Sequence, residues 1–419
     1  MIRLTTSKAS RFGRPATEGR RPRTVHKGFT LVELLVVIVV LAILIGLLLP
    51  AINGALKTAR NAAVSAEINQ LAQALANFKA KYGDYPPSRF LCVENGNYLP
   101  FLSETTIALN TNQLDPTSIG AGDIYVSQLA QRSVAALRKF WPRLTTTSAL
   151  PGNTWYDFNG NGQMDGAYIL HGHECLVFFL GGVPLHDPTS GTYGLTGFGK
   201  DPTNPFTNMI VGNKMYNANR QEAFYQFNPG RLFLDTINIQ TNTGSIPIPG
   251  IPAYYDSLNS GPPMGTGQLN FYAYFNAYGN NNYDPNDVNF LHESDVMGNA
   301  PVELEFKLPF PTNHPSSASY GSGAISASPN PYTSSSTQPA TGSVIYQNPQ
   351  TFQIISAGLD GLYGVGGQYV SNSQSSSGEP LPFDPNSTFY GGSYGKESDG
   401  AIRQREFDNL TNFKSGTLN

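Results

Sequence analysis

The sequence predicts an α+β protein. Its organising element is a long N-terminal α-helix, transmembrane in its first half and amphipathic in its second, packed on an antiparallel sheet with large loop insertions. Three observations predict this. From Phe29 to Leu49 the chain runs 21 residues with one charge, Glu33. A bilayer core takes about 20 apolar residues as helix, and a helix satisfies its own backbone hydrogen bonds in lipid. Downstream, Ile52, Leu56, Val64, Ile68, Leu71, Leu75, Phe78 and Tyr82 step mainly by three and four, which is one face of an amphipathic helix. The remainder alternates short aromatic runs with Gly, Pro and Asn, as in Phe224–Phe227 and Leu269–Phe275, the pattern of short strands on long connections.

The leader, residues 1–28, carries Arg3, Lys8, Arg11, Arg14, Arg20, Arg21, Arg23 and Lys27 against Glu18 alone, a net +7. The positive-inside rule keeps this end in the cytoplasm, so the chain after Leu49 is expected outside. A secretory signal has an apolar core of roughly 7–15 residues followed by a small-residue cleavage site. Here the run is longer, and the small residue, Gly28, precedes it. Cutting there removes the basic leader and keeps the helix. Lys57, Arg60, Glu67, Gln70, Gln73, Asn77 and Lys81 lie off the apolar stripe, and Gly83-Asp84-Tyr85-Pro86-Pro87 supplies a Gly-then-Pro stop. A helix from Phe29 to Tyr82 spans about 80 Å at 1.5 Å per residue.

Gly28-Phe29-Thr30-Leu31-Val32-Glu33 behind a basic leader resembles the processing site of type IV prepilins and type II secretion pseudopilins. The resemblance implies a pilin-like fold, cleavage after Gly28 by prepilin peptidase, N-methylation of Phe29 and assembly into a filament through the 29–82 helix. Glu33, fifth in the mature chain, and Pro50, twenty-second, both fall where the family has them. Lys79 to Ser88 is similar to the helix-to-loop passage of the G-type, major pseudopilins.

Two of these residues invite a physical reading. A carboxylate in a membrane helix is costly at the centre, about 2.5–3.5 kcal/mol, and cheaper near the positive N-terminal end of the helix dipole. Glu33 is therefore either a tolerated first-turn acid or, more sharply, the partner of the Phe29 amine of a neighbouring subunit. Pro50 lacks an N–H and its ring presses on the carbonyl of Gly46. The stretch Gly46–Pro50 is then either a harmless kink or a point that melts as subunits pack.

The whole chain has 419 residues with a formal net charge of −3, so residues 29–419 carry −10 once the leader is set aside. An acidic mature chain argues against nucleic acid as a partner, since phosphate binding needs a basic patch. Low charge with 43 Gly and 31 Pro suits a loop-rich extracytoplasmic surface. Two cysteines, Cys92 and Cys175, form either one disulfide or two separate buried thiols. Val126 to Phe140 reads as a helix. Cys175 to Val183 reads as a strand or a short buried helix, which periodicity does not decide. The stretches 313–345 and 371–394, rich in Ser, Gly and Pro, are expected as mobile surface loops. The exported part, 83–419, is expected to make one domain.

Two stretches suggest calcium. Asp157-Phe-Asn159-Gly-Asn161-Gly162-Gln-Met-Asp165 follows the D-x-N-x-N-G opening of a calcium loop, with oxygen ligands at alternate positions and Gly for the sharp turn. Asp157, Asn159, Asn161 and Asp165 are the side-chain ligands and the Gln163 carbonyl a further one; Tyr168 stands at the twelfth position, where a bidentate Glu belongs. The alternative is an Asx-rich turn without metal. The second is C-terminal. Ser356-Ala-Gly358-Leu-Asp360-Gly361 and Phe407-Asp408-Asn409-Leu-Thr411-Asn412-Phe413 resemble the paired loops of G-type pseudopilins. The resemblance implies calcium on Asp360 and Asp408, although the insertion from Gly366 to Ile402 departs from the family's spacing. His171-Gly-His173-Glu174-Cys175 has zinc-ligand residue types but no second ligand pair. No H-E-x-x-H, G-x-S-x-G or P-loop is present.

The expected function is structural, not enzymatic. The chain is expected to be a single-pass subunit in the inner (cytoplasmic) membrane, its N-terminus cytoplasmic and its globular part periplasmic or extracellular. Expected partners are copies of itself, other pseudopilins, prepilin peptidase and the inner-membrane secretion platform. The alternative is a minor pilin or anchored surface adhesin that displays a binding domain.

Overall fold

The computed structural model of the chain describes residues 28–102, 126–152, 154–187, 192–207, 210–211, 214–215, 219–234, 236–241, 244–258, 270–279, 281–284, 287–288, 329–335, 344–364, 366–371, 378–382 and 404–419. The leader, residues 1–27, lies outside them. The chain divides into two units, the first ending at Leu56 and the second running from Lys57 to Asn419. One helix, α1 (Leu31–Tyr82, 52 residues), supplies the described apolar run of the first unit and opens the second. It stops at Gly83, whose φ of +86° suits a residue without Cβ, and the Gly83 N–H donates to the Lys79 carbonyl at 2.7 Å.

In the first unit every described residue is exposed. The apolar stripe therefore does not bury where the sequence suggested it begins: Ile52 and Leu56 are 44% and 51% exposed. These two continue the lipid-type surface of the apolar run. Burial starts at Val64 and continues through Ile68, Leu71, Ala74, Leu75 and Phe78.

The second unit continues with β1 (Phe90–Val93), the single turn α2 (Leu99–Leu102), α3 (Val126–Phe140), β2 (Ala167–Leu170), α4 (Gly172–Gly181), β3 (Pro184–Asp187) and β4 (Thr192–Leu195). Short strands follow: β5 (Ile210–Val211), β6 (Lys214–Met215), β7 (Leu232–Phe233), β8 (Thr236–Thr241), β9 (Gly244–Pro249), β10 (Ala253–Tyr254), β11 (Ala273–Asn276), β12 (Tyr332–Thr333), β13 (Phe352–Ser356), β14 (Gly367–Gln368) and β15 (Leu410–Thr411). The antiparallel sheet expected from the sequence is built as several small sheets. β1 and β2 pair antiparallel, with Phe90 opposite Leu170 and Val93 opposite Ala167. β11, β13 and β15 make a three-stranded antiparallel sheet, and β12 pairs in parallel with β14.

The α1 stripe packs on helices as well as strands. Phe78, fully buried, meets Phe140 of α3 edge-on at 5.1 Å, Phe179 of α4 at 5.9 Å and Phe224 at 5.2 Å between ring centroids. Such tilted and edge contacts suit the ring quadrupoles. Periodicity left the Cys175–Val183 run open between strand and helix, and it is helix α4 with all ten residues buried. Apolarity on every side is what a fully enclosed helix shows. Glu174 accepts from the His171 N–H at 2.9 Å and so satisfies one free donor of its first turn. At the other end Gly182, with φ +87°, lies where a Cβ would sit 2.2 Å from the Gly197 backbone.

Glu67 ties α1 to the strands. Its two carboxylate oxygens accept from the two terminal Arg231 guanidinium nitrogens at 2.7 and 2.8 Å. The hydroxyls of Tyr225, Tyr254 and Tyr272 also donate to it, at 3.2, 3.1 and 2.6 Å. Burial raises its pKa, but Arg231 and the Tyr272 and Tyr254 hydroxyls outweigh that and hold it below the ordinary carboxylate value.

Of the two alternatives for Cys92 and Cys175, the structure has the second: both are buried free thiols. The loop expectation holds only in part. The 313–345 stretch includes β12, whose Tyr332 is fully buried and donates to Glu406 at 2.8 Å. One aromatic with a buried carboxylate partner anchors a segment whose composition alone reads as loop. The described part of 371–394 likewise buries Leu381; residues 313–328, 336–343, 372–377 and 383–394 lie outside the described set.

Candidate functional site

The first candidate is the start of α1. Gly28, Phe29 and Thr30 are extended and helix begins at Leu31. Thr30 caps it: the Glu33 N–H donates to Thr30 Oγ1 at 3.2 Å, and Glu33 Oε2 accepts from the Thr30 N–H and hydroxyl at 2.8 Å each. This is a reciprocal capping box, which satisfies two backbone donors that the helix start leaves free. Sequence reasoning weighed Glu33 without Thr30. The T-x-x-E spacing before an apolar run was the signal that would have found it. Only Oε2 is engaged in these bonds, so the capping role leaves Oε1 open. Phe29 is 80% exposed. Further along, α1 is unbroken through Gly46 and Pro50 in the single chain.

The second candidate is the loop between Tyr156 and β2. Asp157, Asn159, Asn161 and Asp165 are brought together. Asp157 Oδ2 accepts from the Gly162 N–H at 3.1 Å, and Gly160 and Gly162 both have positive φ, at +70° and +76°. Asn159 Oδ1 takes the Asn161 N–H at 3.2 Å and Asn161 Oδ1 the Gln163 N–H at 2.8 Å, two successive Asx turns. Both amide nitrogens donate to Asp165 Oδ2, at 2.7 and 2.6 Å. Asp157 is 3% exposed, and its Oδ1 is buried without a hydrogen-bond partner.

Sequence reasoning missed a fifth group, Glu94, the residue after β1. It is fully buried. Its Oε2 accepts from the Asp165 N–H, and its Oε1 from the Tyr168 hydroxyl at 3.1 Å. Burial first, then the Asp165 carboxylate, push its pKa up to about 9; burial likewise lifts Asp157 to about 6. Nothing in one sequence joins Glu94 to residues 157–165. The β1–β2 pairing does, since the Glu94 N–H donates to the Gly166 carbonyl at 2.9 Å and the Tyr156 N–H to the Glu94 carbonyl at 2.7 Å.

The C-terminal pair is also brought together. Asp408 Oδ2 accepts from the N–H groups of Leu359 and Asp360, at 2.7 and 3.0 Å. Gly358, φ +72°, fits against the Asp408 backbone, where a Cβ would come within 2.3 Å. Burial first, and the charge of Asp408 with it, raise Asp360 to about 6 against the lowering effect of the Leu362 N–H. These carboxylates are bonded to backbone amides, with Arg405 acting on Asp360 and Lys57 on Asp408, and neither has an orphaned buried oxygen. The fit to a cation is weaker here than at Asp157. Among the described residues no group of three His, Cys, Asp or Glu side chains is set to hold a metal ion as it stands. That includes His171, His173, Glu174 and Cys175, which are buried at the head of α4.

Residues 23–49 match the family model described as the prokaryotic N-terminal methylation motif. No curated protein and no solved structure matches the chain. The motif points to a structural protein that prepilin peptidase processes and that assembles with other pilins. α1 is long and apolar enough to cross a membrane once. The matched motif and the long N-terminal apolar helix it opens fit a type IV prepilin-like protein.

Proposed function

We propose that the chain is a pseudopilin: a structural subunit of a type II secretion or closely related type IV pilus-like filament. Prepilin peptidase cuts it after Gly28, Phe29 is N-methylated, and the mature subunit waits in the cytoplasmic membrane with Lys57–Asn419 on the far side. It then enters a filament with copies of itself and other pseudopilins on the inner-membrane platform. Its work is mechanical, with no catalytic step.

One observation carries this reading. Every described residue up to Leu56 is exposed in the single chain, including sixteen Leu, Ile and Val positions from Leu31 to Leu49 that water would not tolerate as an isolated surface. Lipid covers them before assembly and neighbouring α1 helices after it. Glu33 Oε1, left open by the capping box, receives the Phe29 amine of the next subunit, so both charges are compensated within the packed helices. The test is deletion of the gene in the native host. Loss of secreted proteins with retained surface adhesion supports a secretion filament. Intact secretion with lost adhesion would favour a displayed binding domain instead.

A further inference from the structure

We propose that the loop Asp157–Asp165 is a calcium site closed from outside the loop by Glu94, which Tyr168 holds in place. The loop alone lacks its last ligand, because the twelfth position is Tyr168 and not Glu. The fold supplies the missing carboxylate from the neighbouring strand. The Tyr168 hydroxyl donates to Glu94 Oε1 at 3.1 Å, so the residue in the twelfth position carries the acid by hydrogen bond instead of by covalent linkage.

The clustered acids favour a cation. Glu94, Asp157 and Asp165 face one another, and Glu94 and Asp157 are almost wholly buried. Among the described residues no ion pair reaches any of the three. Buried carboxylates without a partner charge are costly. The Asp157 carboxylate is also poised: one oxygen is fixed by the Gly162 N–H, and the other is buried with no hydrogen-bond partner among the described residues. The remaining donors are hard oxygens, the amide oxygens of Asn159 and Asn161 and the Gln163 carbonyl. That set suits Ca²⁺, which takes six to eight oxygens in adaptable geometry, better than Zn²⁺ or the rigid octahedron of Mg²⁺. Among the described residues the carboxylates do not make a three-acid grip as they stand; Asp165 accepts instead from the two Asn amides, a contact the ion would replace.

The site does not depend on the filament reading, and its test is separate. The full chain, purified in detergent and stripped with chelator, is titrated with CaCl₂ by calorimetry while its Tm is followed. Wild type is expected to take up Ca²⁺ with a Tm rise, and Glu94→Gln and Asp157→Asn each to weaken binding about tenfold or more, the usual scale for losing a ligand or its support. Glu94→Gln without Ca²⁺ is expected to melt at or above the wild-type Tm, since it replaces a buried carboxyl that is costly to ionise with a neutral amide of the same shape. That separates ligand loss from misfolding. Asp408→Asn is expected to bind at this loop as wild type does. No Ca²⁺ uptake by wild type up to about 10 mM, beyond the weakest extracellular calcium modules, overturns the proposal. So does wild-type binding by Glu94→Gln, or loss of all binding in Asp408→Asn alone.

Discussion

Glu67→Ala is expected to be among the most damaging single changes on the polar side of α1. Five donors converge on this carboxylate: both Arg231 nitrogens and three tyrosine hydroxyls. The Glu67 and Arg231 side chains are 12% and 13% exposed. Removing one partner of a buried pair costs about 3–5 kcal/mol because the other charge is stranded. At about 1–2 °C per kcal/mol for a unit longer than 250 residues, Tm falls by about 3–10 °C. Glu67→Gln keeps the shape and some of the bonds and is expected to cost about half as much. The pH dependence has a defined sign. Glu67 is held below its ordinary pKa, so its contribution is present above the unfolded value, about 4.3, and is lost as pH falls through the folded value. Between pH 5 and pH 3 the wild-type Tm is therefore expected to fall more steeply than that of Glu67→Gln. The double change Glu67→Met with Arg231→Met is expected to recover much of the loss, since no charge is stranded. Thermal melts on the detergent-solubilised chain measure all of this. A Glu67→Ala Tm within 1 °C of wild type, on the scale just worked out, would refute the reasoning.

Other changes test other links. Glu33→Ala is expected to leave cleavage after Gly28 intact and to lower filament yield sharply; immunoblots of sheared and membrane fractions read both, and a normal yield rules out the pairing with Phe29. Phe78→Ala empties the centre of an aromatic cluster formed with Phe140, Phe179 and Phe224, and is expected to cost about 3–5 kcal/mol in denaturant titration. Gly182→Ala forces a Cβ against the Gly197 backbone at positive φ and is expected to cost about 2 kcal/mol or more; Gly194→Ala, with open space around it, serves as the neutral control.

The parts legible in the sequence were those set by one-dimensional period or by local turn chemistry. The apolar run and the three-four stripe announced α1, and Leu129, Val134, Leu137 and Phe140 announced α3. D-x-N-x-N-G announced a folded Asx loop; that the Asp360 and Asp408 loops meet came only from the family resemblance, and the structure brings them together. What stayed hidden depended on pairing across distance. Phe90–Val93 is too short to signal itself, and only its register against Ala167–Leu170 brings Glu94 to Asp165. The Cys175–Val183 run is apolar on all sides, so period could not separate strand from helix until burial on every face was visible. Tyr332 was masked by its Ser- and Pro-rich surroundings, and Glu406, 74 residues away, is what places it. Composition reports how a stretch tends to behave, not whether one aromatic within it finds a partner.

The central claim is that a leader is removed so that an apolar helix headed by a new amine can stack beside its copies. N-terminal mass spectrometry of the membrane-fraction protein from the native host tests it most directly. The account predicts a mature chain that begins at N-methylated Phe29; a chain that retains the leader, or begins anywhere other than Phe29, contradicts it.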